Sequence, residues 1–219
     1  MATLSFVIGA LAFLPLATAQ QIGSPEKHPK LWTETCTKRH GCKPHRTSVV
    51  LDALAHSIQD IDTGVSCRNA SGGLDRSICP TEEACGESCA IEGITDYTQH
   101  GVWTRGDALL LRQYLEIDGQ VTSVSPRLYL LDPSGHEYEE LKLLNQELSF
   151  DVDVSNLPCG ENGALYLGAM DADGGRSRLN PAGATYGTGY CDAQCPTLQW
   201  IEGVANINGS GSCCNEFDM

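Results

Sequence analysis

Polar and apolar residues alternate with a period of two along several short stretches, the period of strands with one buried face. Thr47-Ser48-Val49-Val50-Leu51-Asp52 reads as a strand. From Val102 to Val154 the pattern is mostly that of strands. Arg127-Leu128-Tyr129-Leu130-Leu131 runs into Asp132-Pro133-Ser134-Gly135. There proline fixes φ and glycine permits a positive φ, so a turn is expected. Tyr138 to Phe150 returns from it. Leu148 to Val154 alternates without a break, and its apolar members are expected to face a core. Ser149, Asp151 and Asp153 would then face solvent or line a groove. Leu165-Tyr166-Leu167 is a further short strand. Tyr190, Asp192 and Gln194 alternate onto one face between two cysteines. Cys213 to Met219 also reads as a strand. It places Glu216 and Asp218 on one face and Phe217 on the other, packed inward.

Between these stretches the chain is punctuated rather than periodic. Residues 22–47 are polar and interrupted by proline, and Trp32 lies there in an extended segment, free to stack on a sugar or to pack in a core. Met170 to Gly175 resembles the start of a calcium loop but lacks the later acidic ligands, so it reads as a turn. Gly183 to Gly189 reads as a flexible Gly-rich segment. No G-K-[ST] follows it and no helix is predicted, which rules out a phosphate loop. There is no internal repeat, low-complexity segment or linker.

Composition agrees with short strands joined by tight turns: 23 glycines and only 6% aromatic residues in 219. That length suits one sizeable domain or part of a larger one. A formal net charge of −14 disfavours a nucleic-acid partner or an anionic membrane. Met1 to Ala19 is uncharged, largely apolar and ends Ala17-Thr18-Ala19, the pattern of a cleaved signal peptide. It is too short and too proline-interrupted to span a membrane. The mature secreted chain is then expected to be 20–219. An extracellular location accounts for the 11 cysteines, which an oxidising compartment pairs as disulfides. Cys85-x-x-x-Cys89 and Cys191-x-x-x-Cys195 have passable metal spacing, but no histidine cluster accompanies them. No metal or cofactor is expected. Asn69-Ala70-Ser71 and Asn208-Gly209-Ser210 are N-glycosylation sequons, expected at the surface.

The carboxylates near the end bring in chemistry. Two of them two residues apart lie roughly 6–7 Å apart at the backbone on one strand face. They can share a hydrogen bond and titrate together. Glycoside hydrolysis uses such groups, one carboxylate attacking the sugar and a second carboxyl protonating the leaving oxygen. An isolated E-x-D is ordinarily a solvated acidic edge, so its surroundings decide. No G-x-S-x-G or comparable arrangement among the six histidines supports a serine hydrolase instead.

Those surroundings are C-C-N-E-x-D-M after Y-G-T-G-Y-C-D-A-Q-C-P, with S-V-S-P-R-L-Y-L-L at 123–131 and L-S-F-D-V-D-V-S-N-L-P-C-G-E-N-G-A-L-Y-L at 148–167. From about Ile22 to Met219 the chain resembles glycoside hydrolase family 7, the retaining cellulases. The resemblance implies an all-β fold, a two-sheet antiparallel jelly-roll sandwich with a cleft across its concave face. It implies a secreted endo-β-1,4-glucanase, monomeric when whole, acting on a β-1,4-glucan. In the family motif E-x-D-x-x-E, the first Glu, the nucleophile, falls on Glu216. The Asp that supports it falls on Asp218. The last Glu, the acid/base, would lie two residues beyond Met219. Arg127, Asn162, Tyr166, Asp192 and Gln194 match sugar-contacting positions. The family pattern pairs Cys36 with Cys42, Cys67 with Cys89, Cys79 with Cys85, Cys191 with Cys214 and Cys195 with Cys213. Cys159 is left over.

Two departures bear on function. The family's run of distal tryptophans is here Ala53-Leu54-Ala55-His56-Ser57, so the distal sugar sites are expected to be altered. Ala90 after Cys89 and the short Cys195–Cys213 span resemble the open-cleft endoglucanase branch more than the cellobiohydrolases. The expectation is the front half of such an enzyme, inactive and poorly folded alone. A glucan-binding protein without catalysis and a non-functional truncated product are the alternatives.

Overall fold

In the computed structural model, residues 22–219 are described. The expected signal peptide, Met1 to Ala19, lies outside them. Among these residues strands dominate, with one short α-helix. In chain order the elements are β1 (Lys30–Thr37), β2 (Gly41–Leu51), β3 (Ile58–Asp60), α1 (Glu82–Ser88) and β4 (Cys89–Ile91). Then come β5 (Val102–Arg105), β6 (Ala108–Leu111), β7 (Tyr114–Ile117), β8 (Gln120–Ser123) and β9 (Leu128–Leu131). Last are β10 (Tyr166–Gly168), β11 (Trp200–Ile201), β12 (Val204–Ala205) and β13 (Glu216–Asp218). No helix among the described residues is long and apolar enough to cross a membrane.

The three-stranded sheet β1-β2-β9 is the centre, and all of its pairings are antiparallel. Cys36 and Cys42 are cross-strand partners in the β1–β2 hairpin and form a disulfide. The expected strand at 47–52 is therefore the inner half of a longer one. Thr47 to Leu51 is buried without interruption, which requires cover on both faces of β2. Val50 packs with Tyr129, Leu131, Tyr138 and Tyr190, and Leu51 packs with Ile94, Tyr97 and Val102. The expected turn at 132–135 follows β9: Asp132 Oδ1 accepts from the Gly135 amide at 2.9 Å, and Gly135 has φ +75°.

A third core lies under the disulfide-linked region. Ile58, Leu74 and Ile91 pack there with the Cys67–Cys89 and Cys79–Cys85 bridges. Thr81 caps α1 by accepting from the Ala84 amide at 3.1 Å, and Glu82 and Glu83 face the positive end of the helix. Both sequon asparagines, Asn69 and Asn208, are exposed. Cys159 is a free thiol at the surface.

Three expectations are corrected. Leu148 to Val154 is not a strand. Phe150, Val152 and Val154 are 45%, 61% and 52% exposed. Alternation makes a strand possible, but a ladder also needs a neighbour, and no described segment pairs with this one. Phe217 is 63% exposed rather than packed inward. Its strand has β10 as its sole neighbour among the described residues, and no layer covers that face. Gly183 to Gly189 is not a loose segment. Gly183–Tyr186 forms a turn of 3₁₀ helix, largely buried against the central sheet. By contrast, Met170 to Gly175 is the turn expected, closed by the Gly174 amide on the Asp171 carbonyl at 2.9 Å.

Gly187 ends the 3₁₀ turn at φ +69°, and its carbonyl accepts from the Ala53 amide at 3.0 Å. A Cβ at Gly187 would lie 2.0 Å from the Leu51 carbonyl oxygen. Glycine is required by close approach and by φ together. Gly187→Ala is expected to destabilise the protein by at least about 2 kcal/mol. Chemical denaturation checks this, and an unchanged midpoint would contradict it.

Candidate active site

Strand β13 lies antiparallel to β10, with Tyr166 opposite Asp218, Leu167 opposite Phe217 and Gly168 opposite Glu216. Opposed residues share a face, so Tyr166, Glu216 and Asp218 present together. Gly168 leaves the place across from Glu216 without a side chain. Two further amide bonds extend the pairing, Ala169 to the Asn215 carbonyl at 2.9 Å and Met219 to the Leu165 carbonyl at 3.1 Å.

The approach to β13 is fixed covalently. Disulfides join Cys191 to Cys214 and Cys195 to Cys213. Between them the chain turns at Asp192. The Gln194 amide donates to Asp192 Oδ1 at 2.7 Å, and the Cys214 amide donates to the Asp192 carbonyl at 3.1 Å. The turn aims the Ala193 amide at Glu216 Oε2, 3.3 Å away. A half-buried carboxylate is thus held from one side by a backbone donor. Glu216 and Asp218 form no hydrogen bond with each other, although their placement on one face allows it.

A cation links this turn to the central sheet. Leu51 pairs with Leu128, which sets Asp52 beside Arg127. Arg127 Nη2 donates to Asp52 Oδ2 at 3.0 Å, and the Tyr129 hydroxyl donates to the same oxygen. Asp52 Oδ1 accepts from the Leu54 amide at 2.7 Å. The Arg127 guanidinium lies over the Tyr190 ring, 3.7 Å from its centroid. The Tyr190 hydroxyl donates to Asp192 Oδ2 at 2.7 Å. Tyr190 also stacks on Tyr129 and meets Tyr166 edge-on.

Electrostatics follow from this packing. Burial works against the Arg127 charge, but Asp52 and the surrounding tyrosines outweigh it and push the guanidinium pKa up. Burial first, then the Tyr166 hydroxyl and Asp192, push the Tyr190 phenol up. Burial also raises Tyr166, and among its smaller influences are Arg127, which lowers it, and Glu216, which raises it. Tyr166 and Glu216 are therefore within electrostatic reach.

The structure brings Arg127, Tyr166, Asp192, Glu216 and Asp218 to one region. Asn162, three residues before Leu165, is exposed and makes no hydrogen bond to a described residue. The strand-face placement of Gln194 is corrected. Gln194 is exposed and lies in the turn after Asp192 rather than alternating on a strand, with its amide bonded to Asp192 Oδ1. Sequence reasoning missed Asp52 and Tyr129. The available signal was a lone acid ending one apolar strand and a lone arginine opening another. It also missed Glu26, which accepts from the Tyr97 hydroxyl at 2.5 Å and the Ile94 amide at 2.7 Å and lies 3.0 Å from His56 Nε2. That buried cluster ties the start of the described chain to the core. Among the described residues two groups of side chains have metal-like proximity, Cys79 with Cys85 and Cys89, and Glu34 with Cys36 and Cys42. All five cysteines are in disulfides and offer no thiolate.

The model of "Glycosyl hydrolase family 7" matches residues 21–219. A relative described as "Probable endo-beta-1,4-glucanase celB" from Aspergillus clavatus is 57% identical over 216 residues, 98% of this chain and 51% of that protein. The native structure of Humicola insolens endocellulase EGI superposes with a TM-score of 0.83 at 48% identity, covering 91% of this chain and 50% of that one. A family 7 cellobiohydrolase from Daphnia pulex superposes at 0.77 with 36% identity, covering 89% and 48%. The chain spans about half the length of these relatives. Its all-β fold is that of the jelly-roll sandwiches it matches.

Two outcomes follow from the site's packing. Asp52→Ala removes the acceptor of both Arg127 and Tyr129 and leaves a largely buried cation unpaired. It should cost about 3 kcal/mol of stability, with Asp52→Asn costing less. Denaturant unfolding of both variants checks this, and equal losses would contradict it. Burial, then Asp52, raise the phenols of Tyr129 and Tyr138 in the folded state. A raised folded pKa means that the neutral phenol's contribution is complete below the unfolded value of about 10 and is lost above it. In a phenolate absorbance titration, these two tyrosines should ionise only with loss of near-ultraviolet circular dichroism. Seven phenolates appearing together near pH 10 in folded protein would contradict it.

Proposed function

This chain belongs to glycosyl hydrolase family 7, and from that membership we propose that it carries the nucleophile half of a retaining endo-β-1,4-glucanase site. The observation that carries the reading is the pair Glu216 and Asp218 on β13, facing Tyr166 on β10. In the proposed mechanism Glu216 attacks the anomeric carbon and forms a glycosyl ester. The Ala193 amide on Oε2 orients the carboxylate and leaves Oε1 for attack. Asp218 supports Glu216 through its charge on the same face. The leaving oxygen takes its proton from a second carboxyl roughly 5–5.5 Å from the nucleophile. That role is assigned to the last Glu of E-x-D-x-x-E, outside these 219 residues. Water then opens the ester and retains the anomeric configuration.

Arg127, Tyr166 and Asp192 are proposed to contact the glucose units beside Glu216. Arg127 is partly accessible and keeps guanidinium donors beyond the one given to Asp52. Asn162 and Gln194 are assigned the same role by position in the family alone. The substrate is a β-1,4-glucan cut internally. The chain between Cys195 and Cys213 supports an open cleft, since it holds only the small β11–β12 hairpin. The relatives' names point the same way. The proposed location is extracellular, reached through cleavage after Ala19.

The test uses a chain extended through the last Glu of the motif. It should lower the viscosity of a soluble β-1,4-glucan faster than reducing ends appear. Glu216→Gln should reduce turnover on the order of a thousandfold or more with folding and glucan binding retained. Near-normal turnover in that variant would overturn the assignment of Glu216. Cellobiose release with little change in viscosity would overturn the endo reading.

A further inference from the structure

A cavity of about 450 Å³ lies between the 69–76 loop and the 197–209 segment. Its size is within the roughly 300–1,000 Å³ of small-molecule sites. Leu54, Leu74 and Leu198 contribute an apolar lining. Leu74 and Leu198 are buried, while Leu54 is exposed at one side. Both sequon asparagines, Asn69 and Asn208, also line it. Gln199 is the polar group that stands out. It is 4% exposed, and its Nε2 donates to the Gly72 carbonyl at 2.8 Å. Its Oε1 is buried without a hydrogen-bond partner. An unpaired buried acceptor costs on the order of 1–3 kcal/mol, so a rotation of the Gln199 amide that turns Oε1 to a donor in the cavity would be favoured.

We propose that this cavity is a carbohydrate site for the chain's own glycan, holding the first N-acetylglucosamine of an oligosaccharide on Asn208. The two sequons differ in a way that selects Asn208. The Asn69 side chain is engaged at both ends: Nδ2 donates to the Leu74 carbonyl at 3.1 Å, and Oδ1 accepts from the Ser71 amide at 2.9 Å. The Asn208 side chain is exposed and makes no hydrogen bond to a described residue, so it can carry a sugar back over the cavity. A pyranose offers an apolar C–H face for the leucines. Its hydroxyl and acetamide N–H groups are the donors that Gln199 Oε1 lacks. Attachment forms a bond from Asn208 Nδ2 to the anomeric carbon of a lipid-diphosphate-linked oligosaccharide. The lipid diphosphate leaves with the electron pair of the broken C–O bond, and the amide gives up one proton. The inference rests on the proposed secretory route, which supplies that donor, and not on the catalytic assignment.

The test compares enzymatic release of the two glycans from folded protein secreted by a eukaryotic host, followed by glycopeptide mass spectrometry. Release at Asn208 should be roughly tenfold slower than at Asn69, the factor one or two retained hydrogen bonds provide. After denaturation the two rates should be equal. Gln199→Met should bring the Asn208 rate up to that at Asn69. Should that variant fail to fold, hydrogen exchange on the unmutated protein decides: removing the glycans should speed exchange in 69–76 and 197–209 and leave β2 unchanged. Equal release rates in the native protein, or unchanged exchange, would overturn the proposal. So would an unmodified Asn208 in secreted protein, which leaves the glucanase reading standing. Protection of the same two segments by cellotetraose in deglycosylated protein would assign the cavity to substrate instead and also overturn it.

Discussion

The Arg127 guanidinium is the joint on which the arrangement depends. It is clamped between the Asp52 carboxylate and the face of Tyr190. One side of the clamp belongs to the central sheet, where Asp52 follows β2 and Arg127 precedes β9. The other belongs to the turn that feeds β13, because Tyr190 holds Asp192 and the same turn presents its Ala193 amide to Glu216. A charge taken this far out of water persists only with its partner in place. The buried pair therefore fixes a geometry more than it adds stability. Two disulfides at the turn restrict it independently, so Glu216 is positioned by a covalent frame on one side and a charged joint on the other.

What the sequence made legible follows from how local each feature is. Thr47 to Leu51 is, apart from Ser48, a run of β-branched and apolar residues, and it became the buried half of β2. Arg127 to Leu131 with its Pro-Ser-Gly turn was equally local. The shared face of Glu216 and Asp218 needed only the two-residue period. Features that depend on distant partners were not legible. Leu148 to Val154 has a cleaner alternation than β2 and forms no strand, because pairing is decided elsewhere. Gly183 to Gly189 announced conformational freedom but not the close contact with Leu51 that uses it. The Asp52–Arg127 pair spans 75 residues and emerges only once the register of β2 against β9 is known. The turn at Ala193 and Gln194 broke an alternation that the residue types alone could not distinguish from a strand.

Exposed apolar side chains are distributed unevenly. Leu109, Leu110 and Leu111 on β6, Ile117 on β7 and Val121 on β8 are exposed, as are Leu144, Phe150, Val152 and Val154. Phe217 on β13 belongs to the same set. These elements sit in two-stranded ribbons or in no sheet, whereas the inner half of β2, the facing residues of β9 and the disulfide-linked core are covered. Relatives matched over this region have about twice the length. Exposed apolar side chains in such number favour association, and the free thiol of Cys159 is exposed as well.

The central claim is that Glu216 is held ready as a nucleophile. It can be tested without any proton donor, using a cellobioside with dinitrophenolate as leaving group and fluorine beside the anomeric carbon. Such a leaving group departs without acid assistance, and the fluorine slows hydrolysis of the glycosyl ester. Intact mass followed by peptide mapping should find one fluoro-cellobiosyl group on Glu216, and none after Glu216→Gln. A label on another carboxylate, or no label on folded protein, would contradict the account.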